Sequence, residues 1–347
     1  MCPESYRLHY IEKIRPTGAS SALVFGAALD EALNCLLLNK GNAEETFERI
    51  FKTQTINRTE VYIPTYQEMD YSATDFDNDL LTETDVEVLK EQIESSGLSG
   101  YTDYLSAYKE IKKKESLTKE EKVYYNLANW ISLYRKGLLM LHAYRVKVLP
   151  RLDEVISVQE NIKLENEEGD VLTGLVDLIA RVDGEIVLLD NKTASRRYEP
   201  DSVETSDQLS LYKHALQDKY GIKKAGYIVL IKNVNKNKVK ICSKCGHDGS
   251  GSSHKTCSAT VNEQRCHGEF NVTIDPEINV QIIIDEISSK KESEVLENAD
   301  AVNTKITIGC FEKNEKQCAN WFGKKCPYYN YCHANKDMTG LTKVGKK

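Results

Sequence analysis

No stretch of the sequence approaches the ~18 consecutive apolar residues needed to span a bilayer, and Met1-Cys2-Pro3-Glu4-Ser5-Tyr6-Arg7 lacks the apolar core of a signal peptide. Membrane insertion and secretion are therefore not expected, and a cytoplasmic location is. Nor is positive charge in excess: 46 Lys and Arg stand against 53 Asp and Glu, a net charge of -7, which excludes a uniformly basic nucleic-acid coat. Internal repeats and long low-complexity tracts are missing as well. What remains is a soluble, globular composition, 40% hydrophobic and 29% charged over 347 residues, enough for a sizeable core and about two domains at ~150 residues each.

The charge is segregated along the chain. Between Glu68 and Glu94 ten acidic residues meet one lysine, between Asn191 and Cys245 twelve basic residues meet five acidic ones, and between Lys305 and Lys347 nine meet three. The two basic segments read either as one face toward a polyanion or as two solvated lysine-rich surfaces. Ten cysteines in a chain with no signal peptide point to metal ligands rather than disulfides, because the cytosol keeps thiols reduced. Cys242, Cys245, Cys257 and Cys266 form one cluster, Cys310, Cys318, Cys326 and Cys332 another, and Cys2 and Cys35 stand apart.

Ala19 to Lys40 reads as helix, with Phe25, Leu29, Ala32, Leu33 and Leu36 on one face and Gly41-Asn42 as a stop. Residues 65–100 are acidic and loop-rich, and Lys119 to Leu149 reads as one long or two shorter helices carrying Trp130, Leu133, Leu138, Leu141 and Val146. After Pro150 the pattern turns to strands: Val155 to Gln159, Val171 to Val182, and Glu185 to Lys192. A helix is expected from about Ser202 to Lys219, strands at Ala225 to Lys232, Val239 to Ile241 and Phe270 to Ile274, and a final helix from Val280 to Leu296.

Asp183-Gly184 sits between two strand-like runs and is a strong two-residue hairpin signal, since both positions favour positive φ. If these are the loop residues, Val182 pairs with Glu185, and continuing the register sets Asp177 opposite Asp190 at ~5 Å between Cβ atoms. Such a pair inside an apolar sheet needs a cation. Alternation places Lys192 on the same face as Asp190, so either Lys192 alone neutralises the pair, or a hard divalent cation binds between the oxygens and leaves Lys192 free to act on water and phosphate. On the following helix Gln208 and Tyr212 share a face, four residues apart.

Gly174-x-x-Asp177, then Asp190-Asn191-Lys192, then Gln208-x-x-x-Tyr212 resembles, in order and spacing, the PD-(D/E)XK nuclease superfamily, specifically its RecB-like branch. The resemblance implies that Asp177 and Asp190 are metal-binding carboxylates, the Asn191 carbonyl a backbone ligand, and Lys192 the residue that positions or activates the attacking water. It makes Gln208 and Tyr212 the pair that organises active site or nucleic acid. That branch also carries an N-terminal helix with Gly-x-x-x-His, whose His is a metal ligand; here Gly26-x-x-x-Asp30 puts Asp in its place. Aspartate is itself a hard-cation ligand, so Asp30 reads as a substitute.

Cys242-x-x-Cys245 with Cys257 and Cys266 offers four soft ligands within 25 residues, with His247, His254 and His267 as alternatives nearby. A loop too polar to build its own core suits a structural tetrahedral zinc, and the insertion resembles a zinc ribbon budding from the nuclease domain. At the C-terminus, Cys318-x7-Cys326-x5-Cys332, with Trp321 and Phe322 between, supplies three ligands. In the iron-sulfur RecB-like nucleases, such as AddB and the CRISPR-adaptation exonucleases, one cysteine before the core, in a Cys-Pro-x-x-Tyr context, joins three after it. Cys2-Pro3-Glu4-Ser5-Tyr6 matches that context, and the resemblance implies a 4Fe-4S cluster on Cys2, Cys318, Cys326 and Cys332. The usual Cys-x-x-Cys-x5-Cys ending is not kept, and Cys310 is a rival ligand for a local second zinc site. The resemblance covers roughly Cys2 to Tyr6, Val24 to Leu33, Gly174 to Leu216 and Lys313 to Cys332.

The expected fold is α/β: a restriction-endonuclease-like core over 151–241 and 269–300, a mostly helical region 1–150 before it, a zinc-ribbon insertion at 242–268 and a C-terminal iron-sulfur segment at 301–347. The implied activity is a Mg²⁺- or Mn²⁺-dependent DNA exonuclease or flap-type nuclease acting on single strands or duplex ends. The implied setting is phage or mobile-element DNA processing in a bacterial cell, with helicase or recombination proteins as partners. The alternative is a catalytically inactive, metal-stapled nucleic-acid-binding protein whose acid pair is only structural.

Overall fold

The computed structural model describes residues 2–16, 21–59, 133–134, 136–165, 171–250, 252–261, 263–318 and 325–344. The acidic stretch from Glu68 to Glu94, the helix expected before residue 133 with Trp130, and Trp321 and Phe322 lie outside these residues.

At the centre is a five-stranded sheet of order β2-β3-β4-β5-β8, built from β2 (Glu154–Glu165), β3 (Val171–Val182), β4 (Glu185–Ala194), β5 (Lys224–Cys242) and β8 (Phe270–Glu286). Asp183 and Gly184 both take positive φ, 51° and 81°, and the β3–β4 register runs from Val182↔Glu185 to Leu178↔Leu189. This is the hairpin the Asp-Gly pair predicts, because the right-handed strand twist selects a turn that asks for left-handed residues. β4 and β5 are parallel and the other three pairings antiparallel.

Helices cover both faces. On one side lie α2 (Ser21–Leu37), α3 (Ala43–Thr59) and the helix over 136–147, α4. Phe25, Leu29, Leu33, Phe47, Met140, Leu141 and Tyr144 form one core with Leu178, Leu189, Ile228 and Leu230 of the sheet. On the other side α5 (Asp207–Tyr220) buries Leu209 and Leu216 against Ile179, Leu188, Val229 and Ile231. Ser206 caps α5 by accepting from Leu209 N at 3.1 Å, and Gly221 at φ 69° ends it. Alternating strand residues thus feed two separate cores, the three-layer solution for a sheet apolar on both faces.

Two expectations change. The run Val239 to Ile241 is no separate strand but the continuation of β5, across a register shift between Leu230 and Val234. The segment from Val280 is the end of β8, and the last long helix, α6 (Ser289–Thr307), begins after the Ser288 cap. The β-branched Val280-Gln281-Ile282-Ile283-Ile284 favours an extended backbone, and its residues pack alternately on the two cores, which overrides the helical spacing of the apolar positions.

The chain ends meet. A short α1 (Pro3–Tyr6) leads into β1 (Ile14–Pro16), which pairs antiparallel with β9 (Leu341–Lys343), and Leu8, Ile14, Tyr328 and Leu341 form a small core beneath. Tyr328 OH donates to Ile14 O at 3.1 Å and lies 2.8 Å from His9 Nδ1. The C-terminal part also holds α7 (Tyr329–His333), and the two-stranded β6 (Thr260–Val261) and β7 (Gln264–Arg265) lie in the cysteine-rich insertion. Among the described residues no helix is long and apolar enough to cross a membrane.

Candidate active site

The β3–β4 ladder stops one pair short of Asp177 and Asp190. There the Asp177 carboxylate takes over, with Oδ2 accepting from Asn191 N at 2.7 Å, so the strands splay and the two acids meet at the opening. Asp190 is only 2% exposed, and its Oδ2 lies 2.5 Å from Lys192 Nζ. Lys192 Nζ also donates to Gln208 Oε1 at 3.2 Å, while Gln208 Nε2 donates to Asp190 Oδ1 at 3.2 Å and to Tyr212 OH at 2.9 Å. The three motifs, separate in sequence, therefore form one connected polar network.

Gly174 explains itself by contact. A Cβ there would sit 2.8 Å from Tyr212 Cε1 and about 3 Å from Ile162, so the Tyr212 ring needs the missing side chain. Gly26 differs, because a Cβ on it would meet nothing within 4 Å.

Asp30 reaches the cluster from α2, and the groups that act on one another are Asp30, Asp177, Asp190 and Lys192. Burial first, then the charge of Asp190, pushes Asp177 up to about 7, against the opposing Asn191 N–H bond. Burial also raises Asp190, with Lys192 opposing, and burial followed by Glu31 raises Asp30, with the Gln159 bond opposing. At Lys192 burial works against the ammonium, but Asp190 and Asp177 together outweigh it and the pKa rises. Burial holds the three carboxylates above their ordinary range, neighbouring acids add to it at Asp177 and Asp30, and one lysine does not make up the missing positive charge. Asp190 Oδ2 is buried with Lys192 Nζ beside it at 2.5 Å, so the charge left without a cation falls on Asp177 and Asp30. Hard oxygen donors grouped in this way fit a divalent ion such as Mg²⁺ or Mn²⁺.

A family model described as the PD-(D/E)XK nuclease superfamily matches residues 1–333. The chain belongs to the PD-(D/E)XK nuclease superfamily. No curated protein matches the sequence.

Two residues of this nuclease went unnoticed in the sequence. Gln159 sits in β2 at φ 56°, between the pairs Val158↔Leu178 and Glu160↔Val176, and its Nε2 donates to Asp30 Oδ2 at 3.2 Å. Tyr144 of α4 is fully buried, and its OH donates to Asn191 Oδ1 at 3.2 Å. A backbone kink in a strand leaves no mark in composition, and Tyr144 reads from sequence as one more apolar helix position.

The nuclease also carries the two cysteine groups. Cys242, Cys245, Cys257 and Cys266 place their sulfurs within 4.8 Å of one another, with the Cys242–Cys266 and Cys245–Cys257 separations both 3.6 Å. Tetrahedral Zn–S bonds of ~2.3 Å require sulfurs about 3.8 Å apart, so the spacing fits a single ion. Burial opposes ionisation of Cys242, yet N–H groups of Cys245 and Lys244 bring it down to about 6, toward the thiolate that a soft metal binds. Gly268 is tight here: a Cβ would lie 2.7 Å from Cys242 Sγ.

At the joined chain ends, burial first and then the charges of Cys2 and Cys318 raise Cys326, while burial raises Cys332, with Cys326 and Cys2 among the smaller contributors. Asn314 N donates to Cys2 Sγ at 3.3 Å, and Cys326 N donates to Cys318 O at 2.8 Å. Cys310 is not among the groups that shift either thiol.

Proposed function

We propose that the protein is a divalent-metal-dependent DNA nuclease, acting as an exonuclease of the RecB-like, iron-sulfur-containing branch. The observation that carries the reading is the convergence of Asp30, Asp177, Asp190 and Lys192, drawn from three elements, at the splayed end of a hairpin. Asp177, Asp190, Asp30 and the Asn191 carbonyl would hold Mg²⁺ or Mn²⁺. A bound ion supplies Lewis-acid polarisation of the scissile phosphate and a lowered pKa for water.

The chain's own residues do the positioning. Asp190 keeps Lys192 protonated, so its ammonium is set to stabilise negative charge gathering near the attacked phosphate. Gln208 bridges Asp190, Lys192 and Tyr212, so its amide fixes the lysine against the acid. Tyr212 in turn is held over Gly174. The mechanism is hydrolytic and forms no covalent enzyme intermediate.

The same reading assigns zinc to Cys242, Cys245, Cys257 and Cys266 and a 4Fe-4S cluster to Cys2, Cys318, Cys326 and Cys332. It treats 151–241 with 269–300 as the catalytic core, 1–150 as the helical part, 242–268 as the ribbon and 301–347 as the cluster segment. Its setting is phage-type DNA processing or recombination, with helicase or recombination proteins as partners. Labelled single- and double-stranded DNA incubated with Mg²⁺ or Mn²⁺, against a chelator control, tests the central statement. Metal-dependent release of nucleotides is expected; binding without cleavage would assign the protein to an inactive, nucleic-acid-binding role.

A further inference from the structure

The basic residues between Asn191 and Cys245 divide by position. Lys192, Lys213, Lys219 and Lys224 are ion-paired, to Asp190, Glu292, Glu160 and Glu185. Among the described residues Arg196, Arg197, Lys232, Lys238, Lys240 and Lys244 make no ion pair, and all but Lys232 and Lys240 are exposed. Apart from Lys223 just before β5, the unpaired charges begin just past the acid cluster and run in one direction.

That direction is set by the sheet. β5 lies parallel to β4 as far as Ala194↔Ile231, so it leaves the sheet at the edge toward which Asp190 and Lys192 lead. Three residues of β5, Ile231 to Asn233, then face one of β8, a bulge that bends the pair away. Pairing resumes at Val234↔Ile278 and continues to Cys242↔Phe270, giving a two-stranded arm with the four-cysteine knuckle at its tip. The loop carrying Arg196 and Arg197 is fastened across the arm's root, where Gln281 accepts from Tyr198 N at 2.8 Å and donates to Tyr198 O at 3.0 Å.

Charge on the arm is unequally available. Glu277 is occupied by Lys147 and by Asn237, the latter at 3.0 Å. Lys244, Lys255 and Arg265 stand exposed on the knuckle without ion pairs, beside exposed Asp248, Glu263 and Glu269. A chain of net charge -7 thus holds a path of cations outside ion pairs leading out from its catalytic edge.

We propose that this arm is a DNA-backbone guide, gripping duplex phosphates well away from the scissile bond while the knuckle metal keeps the tip folded. The proposal rests on the nuclease reading for the position of the scissile phosphate. Asp190 pairs with Tyr227, and Cys242 is fifteen residues further along β5. At ~3.3 Å per residue, shortened by the bulge, the tip lies about 45 Å away, or about 13 base pairs of a duplex rising ~3.4 Å per pair. Contacts of this kind are sequence-independent and salt-sensitive.

The test compares binding to 10-base-pair and 30-base-pair duplexes by fluorescence anisotropy across salt concentrations, in a Lys192→Ala background that leaves the DNA intact. Combining Lys244→Glu, Lys255→Glu and Arg265→Glu should weaken binding to the long duplex at least tenfold and flatten its salt slope by about 3, at ~0.9 for each phosphate no longer neutralised. The short duplex, which ends before the knuckle, should change less than twofold, and the Lys↔Arg exchanges at the same three positions should preserve long-duplex affinity. Equal weakening at both lengths, or no change at either in protein that retains its knuckle metal, would overturn the proposal. Cleavage of the 10-base-pair duplex by protein with Lys192 intact is read separately. No cleavage alongside length-dependent binding defeats the nuclease reading and spares the arm, whereas cleavage without length dependence does the reverse.

Discussion

Asp177 has the most informative chemistry of any single residue here. Its folded pKa of about 7 lies above the ordinary carboxyl value, so the metal-free folded state holds this proton more tightly than the unfolded chain. The sign follows from linkage: stability associated with the group is fully present below the unfolded pKa near ~4, is lost as pH rises through about 7, and stays lost above. Asp177→Asn keeps an acceptor for Asn191 N and removes the charge. In chelator it should therefore be more stable than the parent at pH 8, by about a few kcal/mol and so with a higher melting temperature, and the difference should be smaller at pH 5. Thermal scans at the two pH values check this, and equal melting at both would dismiss the buried-charge account. Lys192→Ala should lower the cleavage rate by about 10²–10³. It should also destabilise the metal-free protein, since a buried Asp190 loses its counter-ion; added Mg²⁺ or Mn²⁺ should restore melting but not turnover.

Elements matter here through what they bring near one another. β3 supplies Gly174 and Asp177, β4 supplies Asp190 and Lys192, and α5 lays Gln208 and Tyr212 across both. Gly174→Ala should push the Tyr212 ring, loosen Gln208 and lower kcat by ten-fold or more, whereas Gly26→Ala, with open space at its Cβ, should stabilise α2 by about 0.5–1 kcal/mol. Turnover for the first variant and chemical denaturation for the second give the comparison; identical behaviour of the two glycines would remove the packing argument. Removal of the Gln159 amide in Gln159→Leu should leave Asp30 without its donor and weaken divalent-metal affinity several-fold, measurable by calorimetry without any substrate.

At the scale of the whole molecule, the chain closes on itself. β1 pairs with β9, Tyr328 bonds to Ile14, and Cys2 Sγ accepts from Asn314 N, so ligands on a shared cluster would bridge nearly the full length of the chain. By analogy with a disulfide, a loop that long removes about 5–6 kcal/mol of unfolded-state entropy before strain. Protein purified without oxygen should be brown, and Cys2→Ser should bleach it and lower the melting temperature. Colourless protein with two equivalents of zinc, indifferent to Cys2→Ser, would instead assign Cys310, Cys318, Cys326 and Cys332 to a local site.

The hairpin is legible in the local sequence, because Asp-Gly chemistry selects the turn and the turn sets the register that brings Asp177 to Asp190. So is the α5 face carrying Gln208 and Tyr212, since helical spacing is a local property. Tertiary structure alone decided the rest. The splay that turns Asp177 onto Asn191 N, the Gln159 kink that meets Asp30, and the burial of Tyr144 beside Asn191 arise where separate elements pack together. The extent of β8 was likewise decided by contact, because a run such as Val280-Gln281-Ile282-Ile283-Ile284 reads as helix or strand until two opposing cores claim its alternate residues.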